Sequence, residues 1–345
     1  MILLVNFLFL PVWALAQNQF LMTVGGYSGL QDGCQHHCPP WDKKVTLLSL
    51  DPDVQVPECL QRLNDFQYLE GACMSNLLGD QPHICAGWAP FVDGYSDKCY
   101  HYDPIRDLWT ESGTLSVTRR EGNGCAVSYA HGMIVAGGYG CTDDDCVSDL
   151  PGPLATVEYT RDGQKFGQLA ELPEAKQFHC LVALWGGDLF STGGQPWEVT
   201  EKAYIYSNSK NEWSQVADMI TPRCCVFCGV ALTKDGSQQE VVAAGGVTDL
   251  GKTSDVVEIY SIRDGYWRSA NPLPSPIMEA TSVPYDNSFL IVGGVGDIGQ
   301  LSDLIYKYDS GKDSWELLDA RLPTAASFVA ASMVNSYIFP SCDSE

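Results

Sequence analysis

One unit recurs along this chain and leaves few ways to fold it: a short apolar strand ending in two glycines, then two aromatic residues seven positions apart. The clearest copy is Met133-Ile134-Val135-Ala136-Gly137-Gly138, followed by Tyr159 and Phe166. Leu189-Phe190-Ser191-Thr192-Gly193-Gly194 leads to Tyr206 and Trp213, and Val241-Val242-Ala243-Ala244-Gly245-Gly246 leads to Tyr260 and Trp267. Phe289-Leu290-Ile291-Val292-Gly293-Gly294 leads to Tyr308 and Trp315, and a weaker copy, Ile84-Cys85-Ala86-Gly87, leads to Tyr102 and Trp109. Leu21-Met22-Thr23-Val24-Gly25-Gly26 opens the series without its aromatic pair. The last glycines, at 26, 87, 138, 194, 246 and 294, lie 61, 51, 56, 52 and 48 residues apart. A period near fifty with four short strands per unit predicts sheets arranged radially as a propeller.

The apolar strand, the double glycine and the Tyr and Trp that follow resemble the kelch repeat over essentially the whole chain. The resemblance implies an all-β, six-bladed kelch-type β-propeller with four antiparallel strands per blade. Physical chemistry points the same way. A glycine pair closing an apolar strand marks a place where no Cβ fits, because backbone or a ring comes close or φ must be positive. The Tyr and Trp would fill the wedge between neighbouring sheets, each burying on the order of 150–250 Å². They read as core residues and not as a cofactor site.

The first unit departs from the pattern. After Val45-Thr46-Leu47-Leu48-Ser49-Leu50 the aromatic step gives way to Pro57-Glu58-Cys59-Leu60, so an irregular outer strand is expected there. Ser327 to Met333 reads as an innermost strand with no glycine pair after it. The economical solution is that this C-terminal strand completes the N-terminal blade, and closure removes exposed strand edges. Tyr337-Ile338-Phe339 has no assigned role.

Residues 1–16 form an apolar run ending in Ala14-Leu15-Ala16, which has the pattern of a signal peptide. Residues 17–345 are then expected to be a single propeller domain. No later run approaches a membrane span, the C-terminus shows no anchor pattern, and no Asn-x-Ser/Thr acceptor occurs. The expected location is extracellular, without a membrane anchor. Lys plus Arg number 20 against 43 Asp plus Glu, a net charge of −23, which excludes nucleic-acid and anionic-membrane binding as the main business of the surface. That balance suits calcium or a cationic partner, with Asp143-Asp144-Asp145 the most acidic loop.

All 14 cysteines follow the apolar run. An even number in a secreted chain argues for disulfides. Cys85 ends one strand and Cys99 begins its neighbour, within disulfide reach. Cys141 and Cys146 frame the acidic loop, and Cys34 and Cys38 flank His36-His37, where a local disulfide is favoured over a metal site. Aligned on the kelch unit, Cys73, Cys125, Cys180 and Cys228 fall at one inner-strand position in four blades. Compact buried thiols are the favoured reading there. Disulfides between neighbouring blades and a ring of thiols binding a soft metal are the alternatives.

Kelch relatives use for ligands the face formed by loops that leave the double-glycine strands and enter the innermost ones. By that resemblance the face would carry Tyr27, Trp41, Trp88, Phe91, Tyr95, Tyr139 and Trp197, with Arg119, Arg120 and Arg223 on the entering loops. Aromatics and arginines are what binding hot spots are made of. A copper oxidase resembling galactose oxidase would need two tyrosines and two histidines, and the Tyr100-His101 pair lies where a structural kelch tyrosine is expected. A sialidase-like hydrolase would need repeated Ser-x-Asp-x-Gly-x-x-Trp boxes, which residues 261–267 only approximate. No nucleophile elbow, zinc-protease helix or phosphate loop occurs. Intracellular kelch adaptors of ubiquitin ligases or actin usually carry a further domain. The sequence therefore predicts a secreted, cofactor-free kelch module that binds an extracellular protein or glycan and is not an enzyme.

Overall fold

In the computed structural model, the described residues are 19–28, 43–66, 71–77, 80–89, 94–141, 151–195, 198–248 and 251–339, with only the backbone described at 88–89, 94–95 and 118–122. They form a ring of six antiparallel blades, numbered here in chain order, the second and third joined in one continuous sheet. The fourth blade shows the pattern: Cys180–Ala183 innermost, then Leu189–Thr192, Ala203–Ser207 and Glu212–Gln215 outward. The fifth (Phe227–Leu232 to Tyr266–Ser269) and sixth (Thr281–Tyr285 to Ser314–Leu317) repeat it. The second and third share one long strand, Leu108–Ser128, whose first half is the outer strand of the second blade and whose second half is the inner strand of the third.

The first blade is closed by both ends of the chain. Gln19–Val24 pairs antiparallel with Ala330–Asn335, from Gln19 opposite Asn335 to Val24 opposite Ala330. Val45–Leu48 pairs on its other side, and the expected irregular outer segment is a 3-10 turn over Glu58–Leu60. Tyr337 to Phe339 also finds a place. Phe339 is buried in the cluster between the first two blades, its ring 6.2 Å from that of Tyr102.

The core is six wedges instead of one centre. Each apolar cluster draws on two neighbouring blades, for example Phe190 and Val182 of the fourth with Tyr260, Val241 and Trp267 of the fifth. The repeated aromatics fill these wedges as expected. Tyr and Trp pack at 5.1 Å (Tyr102, Trp109), 5.3 Å (Tyr206, Trp213), 5.3 Å (Tyr260, Trp267) and 4.9 Å (Tyr308, Trp315). Each of these pairs is cross-strand neighbours on adjacent strands, where facing side chains come closest.

The glycine pairs clamp one blade to the next. The Gly194 N–H donates to the Arg223 carbonyl at 2.9 Å, and a Cβ on Gly193 would lie 2.7 Å from that same oxygen. Both glycines have positive φ, 64° and 93°. The same bond joins Gly138 to Lys176, Gly246 to Ile277 and Gly294 to Ala326. So the neighbouring backbone does come too close for a side chain, and the contact is a hydrogen bond across the seam.

Among the described residues, disulfides join inner strands of neighbouring blades. Cys73 is bonded to Cys125 and Cys180 to Cys228, with Cα atoms 5.4 and 5.8 Å apart. This corrects the expectation of free inner-strand thiols. It also corrects the alignment behind it. Cys73 and Cys180 pair with the residue just before the glycine position (Cys85 and Thr192), whereas Cys125 and Cys228 pair one residue earlier, with Val135 and Ala243. Successive side chains of a strand point to opposite faces. A one-residue offset therefore turns each second sulfur back toward the blade before it, which is what a bond between stacked sheets requires. Cys85 is bonded to Cys99, its cross-strand neighbour, Cα atoms 4.1 Å apart. Cys59 and Cys141 are disulfide-bonded as well. Cys34, Cys38 and Cys146 lie outside the described residues, as does the 1–16 segment.

Candidate functional site

The residues that enter each innermost strand define the middle of one face. Two positions before the residue that pairs with the pre-glycine position, the chain takes the left-handed conformation in five blades. These residues are Gly71 (φ 62°), Phe178 (φ 52°), Cys225 (φ 52°), Glu279 (φ 57°) and Phe328 (φ 53°). Side chains other than glycine rarely adopt this region. Here a belt of backbone hydrogen bonds compensates: the Cys225 N–H donates to the Phe178 carbonyl at 2.9 Å, Phe328 to Glu279 at 3.1 Å, and Gly71 to Phe328 at 3.4 Å.

The belt rings an axial cavity of about 340 Å³ lined from all six blades. Phe178 and Phe328 come from opposite blades, and their ring centres meet 6.3 Å apart at its mouth. Asn123 and Ser282 also line it, and the Asn123 Oδ1 and Ser282 Oγ atoms are buried without a hydrogen-bond partner. A cavity of this size with few polar groups is of the dimensions that take small ligands.

Outside the mouth, the register draws several sequence candidates together. Trp88 is paired with Tyr95, Arg119 lies between Ser96 on one side and Gly140 on the other, and Tyr139 precedes Gly140. Trp88, Tyr95, Arg119 and Tyr139 thus lie on neighbouring strands of one ribbon across the second and third blades, with Arg120 next along the strand. Tyr139 is half-buried. Tyr27, also half-buried, bridges to Ser327, next to Phe328 at the mouth. Trp41, Phe91 and Trp197 lie outside the described residues.

Arg223 does not sit on an exposed entering loop. It is fully buried, its Nη1 donating to the carbonyls of Gly245 (2.8 Å) and Val256 (2.7 Å), with Nη2 3.7 Å from the Glu258 carboxylate. Its own carbonyl takes the Gly194 clamp, so this arginine braces the seam between the fourth and fifth blades. Lys176 holds the equivalent place one blade earlier and is equally buried, its ammonium 4.9 Å above the Tyr204 ring. Burial pushes the Lys176 amine down to about 8.

Tyr100 and His101, the pair that a copper site would draw on, are engaged in packing. The Tyr100 ring meets Phe66 edge-on at 5.2 Å, and His101 stacks 5.9 Å from His83. Burial is the main cause that holds His83 below the usual imidazole range. Among the described residues no three His, Cys, Asp or Glu gather to hold a metal ion, and no helix is long and apolar enough to cross a membrane.

Two features had escaped the sequence. The belt is written in residues as unlike as Gly, Phe, Cys and Glu, so only a register count reveals it. The tyrosines carry a second pattern that is legible once known. The hydroxyls of Tyr102, Tyr206 and Tyr308 donate to Asp107, Asn211 and Asp313, five residues on, at 2.7, 2.9 and 2.8 Å. Those three residues are left-handed at the hairpin turn, a conformation that Asp and Asn tolerate.

No protein-family model matches the chain. Mouse (Mus musculus) Kelch-like protein 23 is 26% identical over 56% of this chain and 32% of its own length. Beta-scruin of the horseshoe crab Limulus polyphemus is 25% identical over 59% of this chain and 22% of its own. Mouse Kelch-like protein 40 reaches 34% identity over 34% of this chain and 18% of its own. The chain thus spans about a third or less of the curated relatives it matches. The solved structure of YjhT superposes with a TM-score of 0.65 at 14% identity, covering 87% of this chain and 97% of that one. The chain is a six-bladed kelch-repeat β-propeller.

Proposed function

We propose that this propeller is a secreted, non-catalytic binding module that takes an extracellular protein or glycan on the face around the axial mouth. The observation that carries the reading is the ribbon of Trp88, Tyr95, Arg119 and Tyr139, set by strand register beside the mouth that Tyr27 flanks. Rigid aromatics with an arginine among them supply contact area at low entropic cost. Oxidised cysteines on three pairs of strands support secretion, because such bonds persist in oxidising compartments. The apolar Met1-to-Ala16 run supports it too. The intracellular adaptor reading is favoured by the kelch-like relatives, and the disulfides weigh against it.

The test has two arms. Full-length chain expressed in secretory cells should appear in the medium, and confinement to the cytosol would favour the adaptor. The secreted chain should then bind members of a glycan array or an extracellular ectodomain panel, and the Trp88→Ala, Tyr139→Ala, Trp197→Ala triple variant should lose those ligands while keeping its unfolding midpoint. Binding that survives the triple substitution would remove this face from consideration.

A further inference from the structure

Among cysteines that are otherwise oxidised where described, Cys224 and Cys225 are thiols, and neighbours in sequence seldom sit as they do. Side chains of successive strand residues point to opposite faces. Arg223–Cys224 is such a strand, paired with Val247–Thr248. The chain then turns left-handed at Cys225. That turn brings the second sulfur round to the first, and the Cys225 S–H donates to the Cys224 Sγ at 3.7 Å. The conformation recurs at the same position in other blades, so the belt imposes it whatever the side chain. Cys224 is buried, and Cys225 is half-buried on the cavity wall.

We propose that Cys224 and Cys225 form a vicinal dithiol that closes to a disulfide by exchange with a low-molecular-weight disulfide, RSSR, reaching it through the axial cavity. The pair carries its first negative charge more readily than a lone thiol, because the hydrogen bond from Cys225 holds the Cys224 thiol below its usual range against the opposing effect of burial. The proton of that hydrogen bond passes from Cys225 to Cys224, and the Cys225 thiolate so formed on the cavity wall attacks one sulfur of RSSR. A mixed disulfide forms, and the departing RS⁻ takes the Cys224 proton. The Cys224 thiolate then attacks the Cys225 sulfur, the Sγ–Sγ bond closes, and the second RS⁻ leaves to be protonated from solvent, which had received the first proton. One RSSR is reduced to two RSH for each pair oxidised. Closed, the pair shows the cavity an apolar sulfur surface with no S–H donor.

The test equilibrates the full chain in glutathione buffers of graded reduced-to-oxidised ratio, quenches with an alkylating reagent and maps peptides by mass spectrometry. The peptide holding Cys224 and Cys225 should carry two alkyl groups at the reducing end. At the oxidising end it should carry none, bear no glutathione and be lighter by two hydrogen atoms, with Cys85 and Cys99 still joined. In the Cys225→Ser variant Cys224 should never be protected except as a glutathione adduct. Stable glutathione adducts on the wild-type pair, alkylation at every ratio, or unchanged protection in the serine variant would each overturn the proposal.

Discussion

A methyl group on Gly193 would meet the Arg223 carbonyl at 2.7 Å, and one on Gly246 would meet the Cys224 carbonyl at 2.4 Å. Neither neighbour is a side chain that can swing away, and both glycines have positive φ. Gly193→Ala is therefore expected to cost about 2–4 kcal/mol, read as a lower denaturation midpoint. His179 makes a different prediction. Its ring is buried with Nε2 3.1 Å from the Ala136 carbonyl and Nδ1 3.1 Å from the Cys180 carbonyl and 2.9 Å from the Ser191 hydroxyl. Burial, then the charge of Lys176, pulls its pKa down to about 3 from 6.5. Between those values the unfolded chain binds a proton that the folded one refuses, so acidification through this window destabilises the fold by about 1.4 kcal/mol per pH unit. His179→Gln should flatten that slope in denaturant titrations, and an unchanged slope would place the acid sensitivity elsewhere. At this scale the glycines were legible because a period repeats the constraint. Arg223 was not, since a one-residue difference separates an exposed entering loop from the residue whose carbonyl closes a seam.

Strands and their turns were largely readable, with the Tyr and Trp spacing giving the hairpin and its cross-strand pair together. The turn clamp was not read, although Asp107, Asn211 and Asp313 stand two residues before the tryptophans in plain sight. Asp313 accepts the Tyr308 hydroxyl at Oδ1 and, through Oδ2, the Asn271 N–H at 3.1 Å, so one carboxylate ties its own hairpin to the segment leaving the outer strand of the fifth blade. Tyr308→Phe should lower stability by about 1 kcal/mol, and Asp313→Ala by more, because it strands both donors. The inner-strand cysteines misled for a physical reason. Strand ends slip by one residue between blades, and a slip of one reverses the face. Cys180→Ala with Cys228→Ala, which removes both partners, should cost about 2–4 kcal/mol by releasing the fourth blade from the fifth. Equal stability of the double variant would mean that the wedge alone holds that seam.

For the molecule as a whole, the repeat announced a ring and the displaced last strand announced how it closes, because only that pairing left no edge bare. The proposed ligand face draws on residues the sequence had picked out, and register brings Trp88, Tyr95, Arg119 and Tyr139 onto one ribbon, whereas the mouth, with Phe178 against Phe328, belongs to no local pattern. Deleting the chain from Ala330 onward should leave Gln19–Val24 with an unpaired edge and shift elution from a sizing column toward larger species than the intact chain gives. The pairing of Gln19–Val24 with Ala330–Asn335 also fixes an order of events during synthesis. The second to sixth blades can each finish soon after leaving the ribosome, but the first must hold its opening strand in reserve until Ala330–Asn335 is translated. Until Ala330–Asn335 emerges the nascent ring is an open arc, so a pause anywhere between the two strands prolongs the exposure of the first by its full length.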